Sequence, residues 1–172
     1  MSSRIQKYPG VEITPEEAKG HRYLLTLYQA DLRYAWSAGV ATSRFLRGLE
    51  SKEIWGRECD GCGRTLVPPR MYCERCYRPT DRWVRLKDSG RVVTYSVAYV
   101  NSDASRREEP IIVAVIEIGG ATRMMGLLHL LGEVRPEKVR VGMKVEAVWR
   151  PDGERTGAIT DIRYFRPARG RR

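Results

Sequence analysis

The chain has 172 residues, of which 30% are charged and 42% are hydrophobic, and its formal net charge is +10. These values exclude a disordered chain and indicate one ordinary globular domain, or a small barrel with an appendage. The basic excess favours an anionic partner, such as nucleic acid, an acidic protein surface or a phosphate-bearing cofactor.

The N-terminal residues MSSRIQKYPGVEITPEE lack the apolar centre of a signal peptide. The longest unbroken apolar run is Ile111 to Ile116, far short of the roughly 20 residues that a membrane-spanning helix needs. We therefore expect a cytoplasmic protein without a membrane partner, in which thiols stay reduced and structural disulfides are rare.

A first helix is predicted near the start of an N-terminal helical segment that covers residues 1–52. Thr14, Pro15 and Glu17 are typical of a capping box, in which Thr14 caps the helix and Glu17 reaches back three residues. Apolar residues then recur at helical spacing. They are Leu24, Leu27 and Tyr28.

A second helix is predicted from about Arg33 to Arg47, ending at Gly48. Its apolar stripe consists of Ala38, Ala41, Phe45 and Leu49, with Trp36 and Val40 beside it. Two short helices cannot bury both of their stripes against each other, so they pack on the rest of the chain or on a partner. Small side chains in the middle of the second helix favour a partner. The candidate docking residues are Trp36, Val40 and Phe45.

All four cysteines lie in the stretch CDGCGRTLVPPRMYCERC, as two Cys-x-x-Cys pairs. This spacing is typical of a tetrahedral metal site in a ribbon, here predicted over residues 53–82. Four thiolates leave no open coordination position, which indicates a structural site. The predicted ligands are Cys59, Cys62, Cys73 and Cys76. Zinc is the first choice, and iron in a rubredoxin-like centre uses the same ligands.

Once the predicted metal site is assigned, few side chains remain that could act in catalysis. No cysteine remains as a nucleophile, and the two histidines, His21 and His129, lie far apart in the sequence. The sequence also has no nucleophile elbow, dinucleotide-binding glycine loop or P-loop. We therefore expect that the chain is not an enzyme by itself.

After the ribbon the apolar pattern changes to a period of two, which indicates strands. The stretch RVVTYSVAYV places Val93, Tyr95, Val97 and Tyr99 on one face, which we expect to fill a barrel interior; a base-stacking platform is the alternative. The stretch PIIVAVIEI is apolar on both faces and predicts a central strand covered on each side. About five antiparallel strands predict a mainly β chain with an OB-fold over residues 83–166, followed by a basic tail over 167–172.

The order of these motifs resembles a specific family. CDGCGRTLVPPRMYCERC is followed by SGRVVTYSV, EEPIIVAVIEIGG and VGMKVEAVW. This series is similar to the zinc-ribbon plus OB-fold proteins long called domain-of-unknown-function family thirty-five, now regarded as acyl-CoA-associated. The resemblance covers about residues 35 to 166.

The resemblance implies a non-catalytic accessory subunit. Similar proteins bind thiolases, hydroxymethylglutaryl-CoA synthases or thiolase-fold aldolases, hold the complex together and help to form its acyl-CoA channel. It implies structural zinc, a coenzyme A thioester as ligand of the complex, and an assembly such as two enzyme plus two small subunits. Arginine binds phosphate groups well through its planar fork. Candidates for CoA or interface contacts are Arg64, Arg70, Arg123 and His129.

A second function fits the same residues. Zinc ribbons and OB-folds also bind nucleic acids, and a pI near 9.8 suits that role. The alternative is therefore a single-stranded nucleic-acid-binding protein, in which Tyr95 and Tyr99 stack on bases.

Overall fold

A computed structural model describes residues 14–20, 35–101 and 105–169. The chain divides into two units, Met1–Trp36 and Ser37–Arg172. Several sequence predictions lie outside the described residues: the apolar series of Leu24, Leu27 and Tyr28, the imidazole of His21, and the predicted start of the second helix at Arg33. No helix in the described part of the chain is long and apolar enough to cross a membrane.

The first unit contains helix α1, Pro15–Lys19. The predicted capping box is present at its start. The backbone N–H of Glu17 donates to Thr14 Oγ1 over 3.3 Å, and the backbone N–H of Thr14 donates to Glu17 Oε2 over 3.1 Å. Two otherwise unpaired backbone donors are thereby satisfied.

The second unit begins with helix α2, Gly39–Glu50, which starts later and ends later than the sequence predicts. Residues 35–38 are not helical. Gly48 does not end the helix. A Cβ atom at this position would lie 2.8 Å from the carbonyl oxygen of Glu53 and would also overlap the Trp55 ring, so glycine permits close packing there.

The apolar stripe of α2 packs on this chain. Ala41, Phe45 and Leu49 are 7%, 4% and 0% exposed, and Phe45 and Leu49 belong to the main hydrophobic core. The expectation that this stripe docks on a partner is therefore wrong. Burial of this stripe within the same chain supplies the tertiary contacts that a 12-residue helix needs.

The ribbon follows α2 and contains five short strands. Its three-stranded sheet has the order β2–β1–β5, and β3 and β4 form a separate hairpin. The strands are β1, Ile54–Cys59; β2, Arg64–Leu66; β3, Tyr72–Cys73; β4, Arg78–Pro79; and β5, Arg82–Leu86.

The remaining five strands close into a barrel in the order β10–β8–β7–β6–β9. They are β6, Ser89–Val100; β7, Arg106–Ile118; β8, Gly126–Leu131; β9, Lys144–Trp149; and β10, Ile162–Pro167. Strand β9 pairs with both β6 and β10, and a parallel contact between β10 and β8 completes the closure. The predicted mainly β fold, a ribbon followed by an OB-fold barrel, is confirmed. The predicted central strand, β7, lies between β6 and β8.

The inward face of β6 agrees with the predicted one in the middle of the strand, where Tyr95 pairs with Ala114 and Val97 pairs with Ile112, and differs from it at the irregularities on either side. Val92 is 1% exposed, and the register against β7 shifts between Val92 and Thr94 and again between Ala98 and Val100. Each irregularity displaces the alternation of faces. Tyr95 is 37% exposed and Tyr99 is 58% exposed, so the expectation that both tyrosines fill the barrel is wrong.

One hydrophobic core joins α2, the ribbon and the barrel. It combines Leu49 of α2 with Ile54 and Val67 of the ribbon and with Ile116 and Phe165 of the barrel. The ribbon therefore shares its apolar contacts with the barrel, and metal binding is not the only source of its folding energy.

Candidate metal centre and binding surfaces

The four predicted ligands meet at one point of the ribbon. The Sγ atoms of Cys59, Cys62, Cys73 and Cys76 all lie within 4.8 Å of one another, and no disulfide joins them. The Cys62 and Cys73 sulfurs are 3.7 Å apart. Four sulfurs about 2.3 Å from a central ion form a tetrahedron with edges of about 3.8 Å, so this spacing fits a bound metal ion.

The two knuckles that carry these cysteines have the same backbone turn. In the first, the N–H of Gly63 donates to the carbonyl of Cys59 over 2.7 Å, and Gly63 has φ +68°. In the second, the N–H of Tyr77 donates to the carbonyl of Cys73 over 2.9 Å, and Tyr77 has φ +51°. The second knuckle thus closes without the glycine that the sequence offers in the first.

The pKa values of the cysteine thiols favour binding of a cation. The backbone N–H of Cys76 is the main cause that lowers the pKa of Cys73 to about 7, whereas a hydrogen bond with Cys62 followed by burial raises the pKa of Cys76 to about 12. Burial also raises the pKa of Cys59. One thiolate forms readily, but further negative charge is opposed until a metal ion balances it.

Groups around the cluster hold the two knuckles together. Asp81 accepts the backbone N–H of Asp60 over 2.7 Å and pairs with Arg78 over 3.0 Å. The Arg78 side chain lies over the first knuckle, where a Cβ atom on Gly61 would be 3.0 Å from its Cδ atom. A guanidinium near the first knuckle offsets part of the negative charge that a fully deprotonated metal site carries.

Arg64 and Arg70 meet at the seam between ribbon and barrel. Both pair with Glu74, over 2.7 Å and 3.3 Å, and both approach the Met125 sulfur. The backbone N–H of Glu74, together with these guanidinium groups, lowers the pKa of its carboxyl. Two cations thus share one carboxylate and leave a positive charge at the seam.

Arg123 belongs to the loop that forms the barrel side of this seam. The preceding residue, Thr122, accepts the backbone N–H of Thr65 through Oγ1 over 2.8 Å and donates its own N–H to the Thr65 carbonyl over 3.0 Å. The structure therefore brings Arg64, Arg70 and the loop that carries Arg123 to one region of the surface.

His129 lies away from the seam, on the inward face of β8. Its Nδ1 atom accepts the Leu130 N–H over 2.9 Å, so the proton lies on Nε2, which is 3.2 Å from the Ile159 carbonyl. The ring also meets Phe165 edge-on at 5.7 Å between centroids. Burial lowers the pKa of His129. Both ring nitrogens are engaged within the chain, which indicates a structural role.

The three candidate docking residues are not equivalent. Trp36 is 80% exposed and Val40 is 66% exposed, whereas Phe45 is 4% exposed and belongs to the core. Phe45 therefore stabilises the position of α2. Trp36 and Val40 remain predicted docking residues.

An aliphatic surface on the outside of the barrel was not predicted. On β7 and β8, Val113 pairs with Leu130 and Val115 pairs with Leu128, so these side chains share one face. Leu128 is 68% exposed and Leu130 is 42% exposed. The apolar stretch PIIVAVIEI was the available signal, but we expected both of its faces to be covered. We call these four residues the outer aliphatic face.

Comparison with known proteins gives matches to both parts of this architecture. Residues 47–81 match the family model described as "ChsH2, rubredoxin-like zinc ribbon domain", and residues 83–150 match the one described as "ChsH2, C-terminal OB-fold domain".

Two relatives are each described as a "DUF35 domain-containing scaffold protein". The one from Methanocaldococcus jannaschii is 35% identical over 116 residues, covering 65% of this chain and 79% of the relative. The one from Methanothermobacter thermautotrophicus is 27% identical over 118 residues, covering 66% and 86%.

Two solved structures are also similar. A DUF35-family protein of unknown function from Sulfolobus solfataricus has 29% sequence identity and a TM-score of 0.52, covering 65% of this chain and 78% of its own. The structure named "Ltp2-ChsH2(DUF35) aldolase" has 21% identity and a TM-score of 0.55, covering 77% and 98%. The second likeness shows the fold alone.

Proposed function

The chain belongs to the DUF35 family of scaffold proteins, and from that membership we propose that it is the non-catalytic subunit of a thiolase-fold enzyme complex, where it helps to form the acyl-CoA channel. The scaffold description of the relatives and the structural neighbour named "Ltp2-ChsH2(DUF35) aldolase" support a partner of this class. The partner supplies the groups that react.

The observation that carries this proposal is how the chain uses its thiols. All four cysteines of the sequence converge in one cluster, where a metal ion would occupy every sulfur. His129 has both ring nitrogens engaged in internal hydrogen bonds. Among the described residues, the groups most suited to acyl-transfer chemistry therefore serve the architecture of the chain.

The metal that best fits the cluster is zinc, because four thiolates in a closed tetrahedral ribbon are its usual structural environment. Iron has the same ligand preference, and elemental analysis distinguishes the two. Reduced thiols require a reducing compartment, so we place the complex in the cytoplasm. We keep the proposed division into a helical segment at 1–52, ribbon at 53–82, barrel at 83–166 and basic tail at 167–172.

The seam between ribbon and barrel is the proposed contact for the phosphates of coenzyme A. Arg64 and Arg70 share the single carboxylate of Glu74, and the loop that carries Arg123 lies beside them. An anionic phosphate can replace Glu74 as the partner of one of these guanidinium groups, while Glu74 stays paired with the other. The hydrogen bonds of His129 argue against adding it to this set.

Binding and turnover with purified components test the proposal. Each thiolase-fold enzyme subunit of the same genome is titrated with this chain, and acyl-CoA turnover is measured with and without it. We expect a stable hetero-oligomer, such as two enzyme plus two small subunits, and lower turnover when the chain is omitted. If no thiolase-fold enzyme binds the chain or changes its activity, the proposal fails.

A pair of variants tests the CoA contact. Arg70→Ala should raise the KM for acyl-CoA without loss of complex formation, because one phosphate contact disappears. Arg140→Ala removes an exposed arginine that makes no ion pair among the described residues, and it should leave the KM unchanged. Equal KM values for both variants would remove Arg70 from the proposed channel.

Nucleic-acid binding remains a second candidate, since Tyr95 and Tyr99 are exposed on β6 and the net charge is +10. The outer aliphatic face argues against it, because OB-folds use this face of their second and third strands to bind oligonucleotides. Salt-sensitive binding of a single-stranded oligonucleotide that Tyr95→Ala and Tyr99→Ala weaken would support it.

A further inference from the structure

We propose that the partly exposed edge of the metal centre is an oxidative modification site, where a small uncharged peroxide joins Cys62 and Cys73 in a disulfide that links the two knuckles and opens the site. The inference concerns this chain alone, so it does not depend on which enzyme subunit the chain binds.

The four sulfurs of the cluster are unequally accessible. Cys59 and Cys73 are 0% exposed, whereas Cys62 and Cys76 are partly exposed. The two buried sulfurs also accept backbone hydrogen bonds, from the N–H of Cys62 to Cys59 and from the N–H of Cys76 to Cys73. Such donors make a thiolate a weaker nucleophile. Because oxidation follows thiolate character and exposure, an oxidant in solution reacts first at the two partly exposed sulfurs.

The position of Arg78 favours Cys62 over Cys76 as the sulfur that is attacked. A Cβ atom on Gly61, the residue before Cys62, would lie 3.1 Å from Nη1 of Arg78. Asp81 pairs with Nη2 of this guanidinium over 3.0 Å, and Nη1 makes no hydrogen bond with a described residue. Its N–H groups therefore remain available to stabilise the negative charge that develops on a departing oxygen.

The charges of the ribbon select an uncharged oxidant. Between Cys59 and Arg82, five arginines balance three carboxylates and the double negative charge of a zinc ion held by four thiolates. All three carboxylates are paired with arginines in the structure: Asp60 with Arg82 over 3.2 Å, Glu74 with Arg64 over 2.7 Å, and Asp81 with Arg78. The segment thus has no net charge that would attract an anionic oxidant.

The reaction consists of two balanced steps. The Cys62 thiolate attacks one oxygen of the peroxide, so that an S–O bond forms, the O–O bond breaks and hydroxide leaves; Cys62 becomes a sulfenic acid. The Cys73 thiolate then attacks the Cys62 sulfur, an S–S bond forms, and the second oxygen leaves as hydroxide. The sulfurs lose the electron pair that the peroxide gains, and water protonates nothing on the chain.

Cys73 is placed for the second step. Its Sγ atom lies 3.7 Å from that of Cys62 and on the buried side of it. Substitution at sulfur proceeds from the side opposite the leaving group, and the hydroxide leaves on the exposed side. The disulfide removes two of the four ligands, and Cys59 and Cys76 alone do not complete a tetrahedral site. Loss of the metal ion is therefore the expected consequence.

Oxidation of the full, zinc-bound chain by hydrogen peroxide tests the inference without any substitution. Released zinc is followed with a chromogenic chelator, and peptides are mapped by mass spectrometry without reduction. We expect zinc release together with a Cys62–Cys73 cross-link, and recovery of the zinc-bound chain after dithiothreitol and zinc are added. Met124, which is 63% exposed, is the internal reference for oxidation that does not involve the cluster. Methionine oxidation alone, or a disulfide between any other pair, would overturn the inference.

Partial alkylation of the zinc-bound chain tests the order of accessibility separately. With a limiting amount of iodoacetamide, Cys62 and Cys76 should be labelled at least about ten-fold faster than Cys59 and Cys73. Equal labelling of all four cysteines would contradict the proposed edge.

Substitution of Arg78 tests the choice of Cys62. Arg78→Gln should slow zinc release by peroxide at least about three-fold, and Arg78→Lys, which keeps the charge, should slow it less. Arg75→Gln is the matched control, because Arg75 is an exposed arginine of the second knuckle without an ion pair among the described residues, and it should stay within about two-fold of the unmodified chain. All variants are compared after their zinc content matches that of the unmodified chain. Equal rates for Arg78→Gln and Arg75→Gln would remove Arg78 from the proposed reaction and, with it, the preference for Cys62.

Discussion

Tyr77 holds in the second knuckle the position that Gly63 holds in the first. Both residues have positive φ and both donate their N–H to the carbonyl of the first cysteine of their pair. This region costs a non-glycine residue about 1 to 2 kcal/mol. The cluster thus constrains Tyr77 through its backbone, while its ring remains 81% exposed.

The first prediction is that Tyr77→Gly stabilises the metal-bound chain by about 0.5 to 1 kcal/mol, because the conformational cost exceeds the extra chain entropy of glycine. The reverse change in the other knuckle, Gly63→Ala, should destabilise it by about 1 kcal/mol. No atom lies within 4 Å of the added Cβ atom, so the effect is purely conformational. Urea unfolding measures both; a destabilised Tyr77→Gly variant would show that the ring has a role of its own.

The second prediction concerns His129. Burial lowers the pKa of its imidazole below the ordinary value of about 6.5, so the unfolded chain takes up a proton more readily than the folded chain does. The stability that the neutral ring contributes is present above about pH 6.5 and is lost as the pH falls through the lower folded pKa.

The difference between the unmodified chain and His129→Gln isolates this effect, since both contain the same cysteines. The free energy of unfolding should fall more steeply for the unmodified chain between about pH 7 and about pH 5. Parallel pH profiles, or a ring that titrates near 6.5 by NMR, would contradict the assignment.

At the scale of elements, the docking of α2 on the ribbon depends on close approach. Arg44 of the helix lies between the Trp55 and Trp83 rings, 4.6 Å from each centroid. Gly48 lets the helix backbone approach Trp55 and the Glu53 carbonyl. Two contacts therefore fix the position of the helix: the cation–π contacts of Arg44 with the two rings, and the close approach that the missing side chain of Gly48 allows.

The third prediction is that Gly48→Ala destabilises the chain by about 1 to 2 kcal/mol, because the new methyl group must displace the Trp55 ring or the backbone. Alanine is otherwise favoured over glycine inside a helix by about 1 kcal/mol. Thr42→Ala, an exposed change in the same helix, is the control and should stay within about 0.5 kcal/mol of the unmodified chain. Stabilisation by Gly48→Ala in chemical unfolding would show that the contact is loose.

The sequence predicts those elements whose signals are local. The capping box at Thr14, the cysteine knuckles and the period-two strands each depend on spacings within a few residues, and all are present. The predicted inward face of β6 was correct at Tyr95 and Val97 but wrong at Val93 and Tyr99, because an irregularity in the register lies at each of these two positions without a mark in the sequence. The role of Gly48 depends on Trp55, which meets it only after the helix docks.

At the scale of the whole molecule, the ribbon and the barrel share one hydrophobic core. Ile54, Val67 and Leu86 of the ribbon contact the same cluster as the barrel strands. The exposure of Leu128 is also a property of the whole molecule. Apolar residues on both faces of β7 indicate burial, but only the packing of all elements shows which face stays open.

The fourth prediction follows from the shared core. Calorimetry of the metal-bound chain should show one unfolding transition for the second unit, and metal removal by a chelator should move that transition to a lower temperature. Cys73→Ser should have the same effect, because Cys73 is 0% exposed and contributes one of four sulfurs. A barrel transition that keeps its temperature after metal removal would show that the two parts are independent.

The mass of the complex in solution tests the central claim most directly. Light scattering is measured on the chain, on a thiolase-fold enzyme from the same genome, and on the two after co-expression. We predict one species containing both proteins in fixed proportion, with one metal ion for each copy of this chain. Two separate species, for every thiolase-fold enzyme of that genome, would contradict the account.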